Sequence, residues 1–261
     1  MRGWLPVVGV AVAGTVGISG CGSNQAASDR QGRVKEIAVF AASSLTEGFT
    51  KLGRMFERDH PGTKVTFNFA ASDTLATQIT QGAPADVFAS ASATPMEAVT
   101  KTTHVQGRPR DFASNSLEII TPTDNPANIR SPRDLARPGV KVVLAAPGVP
   151  AGDYARVLFG KLGIAREVRQ NVVSNEIDDK SVVAKVQLGE GDAGVVYKSD
   201  LSSARVRAVK VPARDNVVAT YPIVALENGP DPSGGRQFVR LVLSRRGQRV
   251  LSEFGFEPPP R

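Results

Sequence analysis

The sequence predicts an α/β fold built as two small doubly wound lobes, each with a mostly parallel sheet. Three observations lead there. Short apolar runs alternate with segments of helical periodicity, which is the pattern of repeated β-then-α units. About a dozen such elements follow residue 33, enough for two sheets of modest size. The chain has neither an internal repeat nor a Pro- or Gly-rich linker that would divide it cleanly. Two lobes would then be joined by short crossing strands, expected near Ala113–Ser116 and Asn216–Thr220.

Taken in order, Glu36–Ala41 carries the apolar run Ile37-Ala38-Val39-Phe40 of a buried strand. Phe49, Leu52 and Phe56 recur at i, i+3 and i+7, the spacing of one helix face, and Pro61-Gly62 ends that helix. Lys64–Phe69 alternates polar and apolar residues as a strand does. Leu75 and Ile79 lie on a short helix closed by Gly82, and Asp86–Ala89 is a short strand. Thr94-Pro95 opens a helix with proline at its first position. Leu117–Thr121, Lys141–Ala145, Ala193–Tyr197 and Tyr221–Leu226 read as further strands. Helices are expected after Pro132, after Gly152 and over Ser181–Leu188, and one long helix over Arg236–Phe254.

Composition narrows the function. The 261 residues are 41% apolar and 22% charged, as in an ordinary folded protein. One Cys and two His exclude an internal disulfide, a multi-Cys zinc site and a His-rich metal cage. The net charge is +7, but the basic residues are scattered and only Arg245, Arg246 and Arg249 cluster. Aromatics do not interleave with them, so the charge reads as a solvated face and no nucleic-acid partner is expected.

The N-terminus reads as an export signal. Arg2 precedes eighteen uncharged residues, Gly3 to Gly20, interrupted by four glycines before Gly20 and by Pro6. Val7–Ala13 fits the apolar core of a signal peptide better than a spanning helix. Ile18-Ser19-Gly20-Cys21 resembles a bacterial lipoprotein box, in which the Cys is lipidated and becomes the new N-terminus. Residues 1–20 are therefore expected to be a signal peptide and 21–33 a small, polar tether. The protein would sit on the outer face of the cell membrane, held by acyl chains on Cys21.

Four helix starts stand out. Ser44-Leu45-Thr46-Glu47 has the form of a capping box, and Ser72-Asp73-Thr74-Leu75 follows a strand in the same way. A third start follows Gly148-Val149-Pro150-Ala151-Gly152, and a fourth lies at Asp178-Asp179-Lys180-Ser181. In doubly wound sheets ligands sit beside such termini, whose free N–H groups favour anions. Taken singly, each Ser is better read as a cap that does nothing beyond stabilising its helix by about 1 kcal/mol. By position alone, Tyr197 is a core residue at the end of an apolar strand. No G-x-S-x-G, Walker A or G-x-G-x-x-G motif is present. A hydrolase using Ser44 or Ser72 would need His60 or His104 within reach.

The ordered set of segments resembles the bacterial molybdate-binding proteins, the solute-binding components of molybdate ABC transporters. The segments are Phe40–Thr46, Phe69–Ile79, Gly82–Phe88, Asn115–Leu117, Val149–Gly152, Ala193–Asp200, Tyr221–Ile223 and Phe254–Phe256, so the likeness covers about residues 35–257. It implies a two-lobed type II periplasmic-binding-protein fold with the ligand cleft between the lobes, 34–114 plus 218–261 forming one lobe and 115–217 the other. It implies no enzymatic activity and no cofactor. It implies a monomer that binds molybdate or tungstate, working with permease and ATPase subunits. Ser44 and Ser72 would each give a hydroxyl and a backbone N–H, Ala151 a backbone N–H and Tyr197 its OH. The remaining backbone donor falls on Asp179, where the family usually has an apolar residue. A carboxylate there should repel a dianion unless it turns away or bonds locally. A set made only of neutral donors would also reject protonated phosphate, because an unmet buried hydrogen bond costs about 1–3 kcal/mol. A sulfate or other oxyanion receptor, a secreted serine hydrolase and a structural surface lipoprotein are the alternatives.

Overall fold

The computed structural model describes residues 35–260, and Val34–Arg261 forms one compact unit. The expected signal peptide, Cys21 and the tether lie outside the described residues. The strands are β1 (Lys35–Ala42), β2 (Thr63–Ala70), β3 (Val87–Ala89), β4 (Val105–Thr121), β5 (Val142–Ala145), β6 (Val172–Glu176), β7 (Ala193–Tyr197), β8 (Arg207–Lys210) and β9 (Val218–Leu226). The helices are α1 (Thr46–Asp59), α2 (Ser72–Thr80), α3 (Ala93–Thr102), α4 (Pro150–Leu162), α5 (Ala165–Asn171), α6 (Asp179–Gln187), α7 (Pro232–Leu243) and α8 (Arg245–Glu253). Among the described residues no helix is long and apolar enough to cross a membrane.

The strands form two arrays joined through β4. In the first the order is β2-β1-β3-β9-β4, and in the second it is β6-β5-β7-β4-β8. Each array has three parallel strands, β2-β1-β3 or β6-β5-β7. An antiparallel strand then enters beside the third. The order is the same in both arrays, with the strand that arrives from the other array in the fourth position. β4 pairs with β9 from Val105 to Ser116 and with β7 from Leu117 to Ile120.

On the first array α2 and α3 pack on one face of the sheet, where Leu75, Ile79, Met96 and Val99 meet Phe88 and Leu226. Helices α1, α7 and α8 pack together and against β1, β2 and β9. Phe238 on α7 is fully buried there, with ring centroids 5.8 Å from Phe49, 5.8 Å from Phe56 and 6.1 Å from Phe67. On the second array α4 and α6 pack on β5 and β7.

Several expectations need correction. The final helix is two, because Ser244 takes an extended conformation (ψ 159°) and caps α8 by accepting from the Gly247 N–H at 3.1 Å. The segment after Pro132 is a five-residue 3-10 turn. Strands β6 and β8 and the first half of β4 were not expected, since they lack a continuous apolar run. Helix α5 was also missed.

Candidate functional site

The carboxyl ends of β1, β2, β5, β6 and β7 lead into one small buried cavity. Its walls include Ser43, Ser44, Ser72, Ala91, Ala151, Asp179 and Tyr197. All five residues expected at the site from the sequence, Ser44, Ser72, Ala151, Asp179 and Tyr197, therefore meet there. No Lys or Arg lines it. The centre of a water-sized sphere has only about 10 Å³ to move in, about the room one water molecule needs.

The local chemistry differs from the expected capping. Ser44 is not an N-cap: it lies in a 3-10 turn, Ser43–Leu45, that leads from β1 into α1, and no side chain caps α1. Its Oγ instead lies 3.0 Å from the Tyr221 hydroxyl. Glu47, the other half of the expected capping box, turns to Lys180 and Ser203. Ser72 is the first residue of α2, and its Oγ accepts the Ala91 N–H at 3.0 Å, leaving its hydroxyl proton to be donated elsewhere. Ala151 is the second residue of α4, where Pro150 occupies the first position and Gly148 (φ 91°) turns the chain. Its N–H has no partner within the helix. Asp178 is the true N-cap of α6 and accepts from the Ser181 N–H at 2.7 Å. Asp179 is the first residue of that helix. Three helix starts and the 3-10 turn thus present backbone N–H groups toward one place, which favours negative charge.

Tyr197 is buried, and its hydroxyl has no hydrogen-bond partner among the described residues. Burial raises its pKa well above the ordinary tyrosine value, with Tyr221 and Asp179 adding to the effect, so it is a neutral donor. Its ring stands edge-on to those of Tyr154 and Tyr221, with centroids 6.5 and 5.7 Å away, so all three tyrosines of the chain form one array.

The Asp179 carboxylate does not turn away from the cavity. Ser43 Oγ donates to its Oδ1, and the buried Asp200 carboxyl lies within hydrogen-bonding reach of the Asp179 carboxyl. Burial raises the Asp179 pKa, and the hydrogen bonds with Ser43 and Asp200 and the Lys180 charge only partly oppose this. Asp200, also buried, lies beside it, and burial together with the Asp179 charge pushes its pKa well up. Lys180 Nζ is 3.4 Å from Asp200 and 3.0 Å from Glu47. Burial works against that ammonium, but Asp200 and Glu47 outweigh it and raise its pKa. The site therefore holds a carboxyl as well as neutral donors, and the expectation of a set without any acceptor is corrected.

Tyr221, Asn115, Ser43 and Asp200 had no role assigned from the sequence. Asn115 Nδ2 lies 3.5 Å from the Tyr221 hydroxyl, itself beside Ser44. Asn115-Ser116-Leu117 and Tyr221-Pro222-Ile223 stand among the segments of the resemblance, which was the available signal. Neither His approaches the cavity: His60 stacks on Phe56 at 4.0 Å between centroids, and His104 lies by Thr103 and Glu227. Among the described residues no group of His, Cys, Asp and Glu could hold a metal ion.

Residues 37–257 match the family of bacterial extracellular solute-binding proteins. The chain is 42% identical over 248 residues to the molybdate-binding protein ModA of Mycobacterium tuberculosis (strain ATCC 25618 / H37Rv), covering 93% of this chain and 94% of that one. The periplasmic molybdate-binding protein of Azotobacter vinelandii superposes with a TM-score of 0.76 at 17% identity, over 86% of this chain and 100% of that one. The sulfate-binding protein SubI of M. tuberculosis H37Rv superposes with a TM-score of 0.77 at 17% identity, over 86% and 87%. These two likenesses show the fold, and the fold alone does not choose between the ions. Identity over nearly the whole length shows the family. The chain belongs to the bacterial extracellular solute-binding protein family, and within it to the family of the molybdate-binding protein ModA.

Proposed function

We propose that this protein is an extracytoplasmic lipoprotein that captures molybdate, and tungstate with it, and delivers the ion to the permease of an ABC transporter. It catalyses no reaction and works as a monomer. The observation that carries the reading is a cavity free of Lys and Arg into which three helix starts, three serines and the Tyr197 hydroxyl converge. Each helix start acts as roughly half a positive charge, so several together offset a dianion without a salt bridge. Ser44, Ser72, Ala151, Asp179 and Tyr197 are the proposed contacts, made to the oxygens of the ion. Ser44 and Ser72 come from 34–114 plus 218–261, which we take as one lobe. The other three come from 115–217, taken as the second. Parting the lobes about β4 and β9 admits the ion, and closure upon it signals loading to the permease.

Thermal unfolding tests this. The compact unit contains every described element, so a fragment beginning at Gly22 carries the whole fold. Molybdate at a hundredfold over its Kd is expected to add about 2.7 kcal/mol of stability. Ser44→Ala and Ser72→Ala should each reduce that gain while leaving the fold intact. An equal gain from sulfate at equal concentration makes this an oxyanion receptor of broader choice, and no gain from molybdate refutes the proposal.

Attachment through Cys21 has its own test. The full-length chain expressed in a bacterium is expected in the membrane fraction, and Cys21→Ala should release it or leave an unprocessed precursor. A mature Cys21→Ala protein that stays anchored refutes the lipid anchor.

A further inference from the structure

A serine hydroxyl both gives and takes hydrogen bonds, so a serine on the cavity wall serves an anion only if its proton is not spent on a neighbour. Ser43 fails that condition, because its proton goes to Asp179. Ser44 has one side-chain partner among the described residues, the Tyr221 hydroxyl at 3.0 Å, and either oxygen of that pair could be the donor. Asn115 sets the direction. The Ser116 N–H can only donate, and it meets Asn115 Oδ1 at 3.0 Å, so the other end of the amide is its NH2 group. That Nδ2 gives one hydrogen to Ser199 Oγ at 2.8 Å and turns the other toward the Tyr221 oxygen at 3.5 Å. Tyr221 is fully buried, and burial keeps its phenol neutral, so it has one proton to place. Asn115 Nδ2 cannot accept that proton, and Ser44 Oγ is the one acceptor bonded to the phenol among the described residues. With the bond reversed, a buried O–H would be left without an acceptor, which native structures rarely tolerate.

We propose that Tyr221 is a positioning residue for oxyanion capture: its O–H donates to Ser44 Oγ and, directed by Asn115, leaves the Ser44 proton free for an oxygen of the ion. The inference rests on the functional reading above, in which Ser44 touches the ion. Neither Tyr221 nor Asn115 lines the cavity, so both act through Ser44. The chain runs from the Asn115 N–H to Tyr221, from the Tyr221 O–H to Ser44, and from the Ser44 O–H to the ion, every link donating the same way. Links aligned like this polarise one another and strengthen the last. Strand β4, strand β9 and the 3-10 turn after β1 supply the three residues, so the strand that joins the two arrays also sets a donor on the cavity wall. Ser72 reaches the same state by a shorter route, its Oγ held by the Ala91 N–H at 3.0 Å. The Tyr221 ring is fixed for the task, standing edge-on to Tyr197, Phe112 and Phe256 with centroids 5.7, 6.3 and 5.4 Å away.

The test is calorimetric titration of sodium molybdate into the fragment beginning at Gly22, unaltered and as Tyr221→Phe, Ser44→Ala and the double variant. Tyr221→Phe keeps the ring contacts and removes one oxygen. It is expected to weaken the Kd about tenfold, the equivalent of about 1.4 kcal/mol. In the Ser44→Ala background the same substitution is expected to change the Kd by less than about twofold, because no serine proton is left to direct. A purely structural role for Tyr221 would cost the same factor in both backgrounds, and that result overturns the inference. So does a Tyr221→Phe protein that binds as tightly as the unaltered one. Ser44→Ala without any loss removes Ser44 from the contacts and the inference with it, while binding through the other residues keeps the functional reading. A folded, unaltered protein that binds no molybdate ends that reading. Affinities too weak for calorimetry are read from the shift in thermal unfolding at high molybdate. Should Tyr221→Phe not fold, Asn115→Ala takes its place, with an expected loss of about threefold that again disappears when Ser44 is replaced. No loss, or an equal loss in both backgrounds, overturns the inference there too.

Discussion

Gly152→Ala is expected to abolish the molybdate-dependent gain in thermal stability and to lower the stability of the ion-free protein by about 1–3 kcal/mol. Helix propensity alone argues the opposite sign, since Ala in a helix is favoured over Gly by about 1 kcal/mol. The clash decides. A Cβ at Gly152 would overlap the carbonyl oxygen of Ala145 and lie 2.6 Å from that of Ala146, both backbone atoms at the end of β5. Neither has a flexible side chain to move aside. The start of α4 is also tied down, with Gly148 N–H donating to Asp153 at 3.0 Å and Arg156 to the Ala145 carbonyl at 3.0 Å. Relief must come from lifting the first turn of α4 off β5, which carries Ala151 and its N–H away from the cavity. Hydrogen bonds weaken steeply once they leave their narrow range of length and angle. Calorimetric melting with and without molybdate measures both effects, and a full-sized gain in the variant would remove Ala151 from the binding set.

Phe238→Ala is expected to be the most destabilising single truncation of the core, at about 3–5 kcal/mol. Its ring is fully buried on α7 and touches those of Phe49, Phe56 and Phe67, so its loss opens a cavity walled by three rigid rings. Helix α1 and strand β2 supply those walls and are held by other contacts, which limits collapse. For a domain of this size the loss corresponds to a fall in Tm of roughly 6–20 °C. Phe238 does not line the cavity, so molybdate binding well below the Tm should survive. Urea denaturation checks the magnitude. A loss below about 1 kcal/mol would mean that α7 closes the gap by moving toward α1.

What could be read in the sequence divides along a physical line. The buried strands β1, β3, β5 and β7 and the amphipathic helix α1 were legible, because an apolar run or a repeat of i, i+3, i+7 is recorded in consecutive residues. The first half of β4 was not: Val105–Asp111 contains Gly107, Arg108, Pro109 and Arg110, and its pairing with β9 slips between Gln106 and Arg110. Such a stretch becomes a strand only because β9 is there to pair with it. The break at Ser244 was hidden for a similar reason, since the apolar spacing runs on through it and the turn is held by the Ser244 cap and by packing of α7 on α8.

The same line runs through the site. The residues at the four chain turns beyond strand ends, with Tyr197, were in view because strand-then-helix junctions are local, and their meeting in one cavity follows from parallel strands pointing their carboxyl ends the same way. The roles of individual side chains were decided only in three dimensions. Ser44 looks like a cap for Glu47 within four residues, yet Tyr221, 177 positions away, takes its hydroxyl. Asp179 could have turned to solvent. Instead Ser43, 136 positions away, and Asp200 hold it inward. By itself the sequence determined the buried strands, the first amphipathic helix and the family, because periodicity and turn chemistry act over a few residues and motif order survives in the linear chain. Only the tertiary structure decided which donors are free and that a carboxyl stands among them. Hydrogen bonding and desolvation depend on which distant groups arrive at contact, and no spacing along the chain records that.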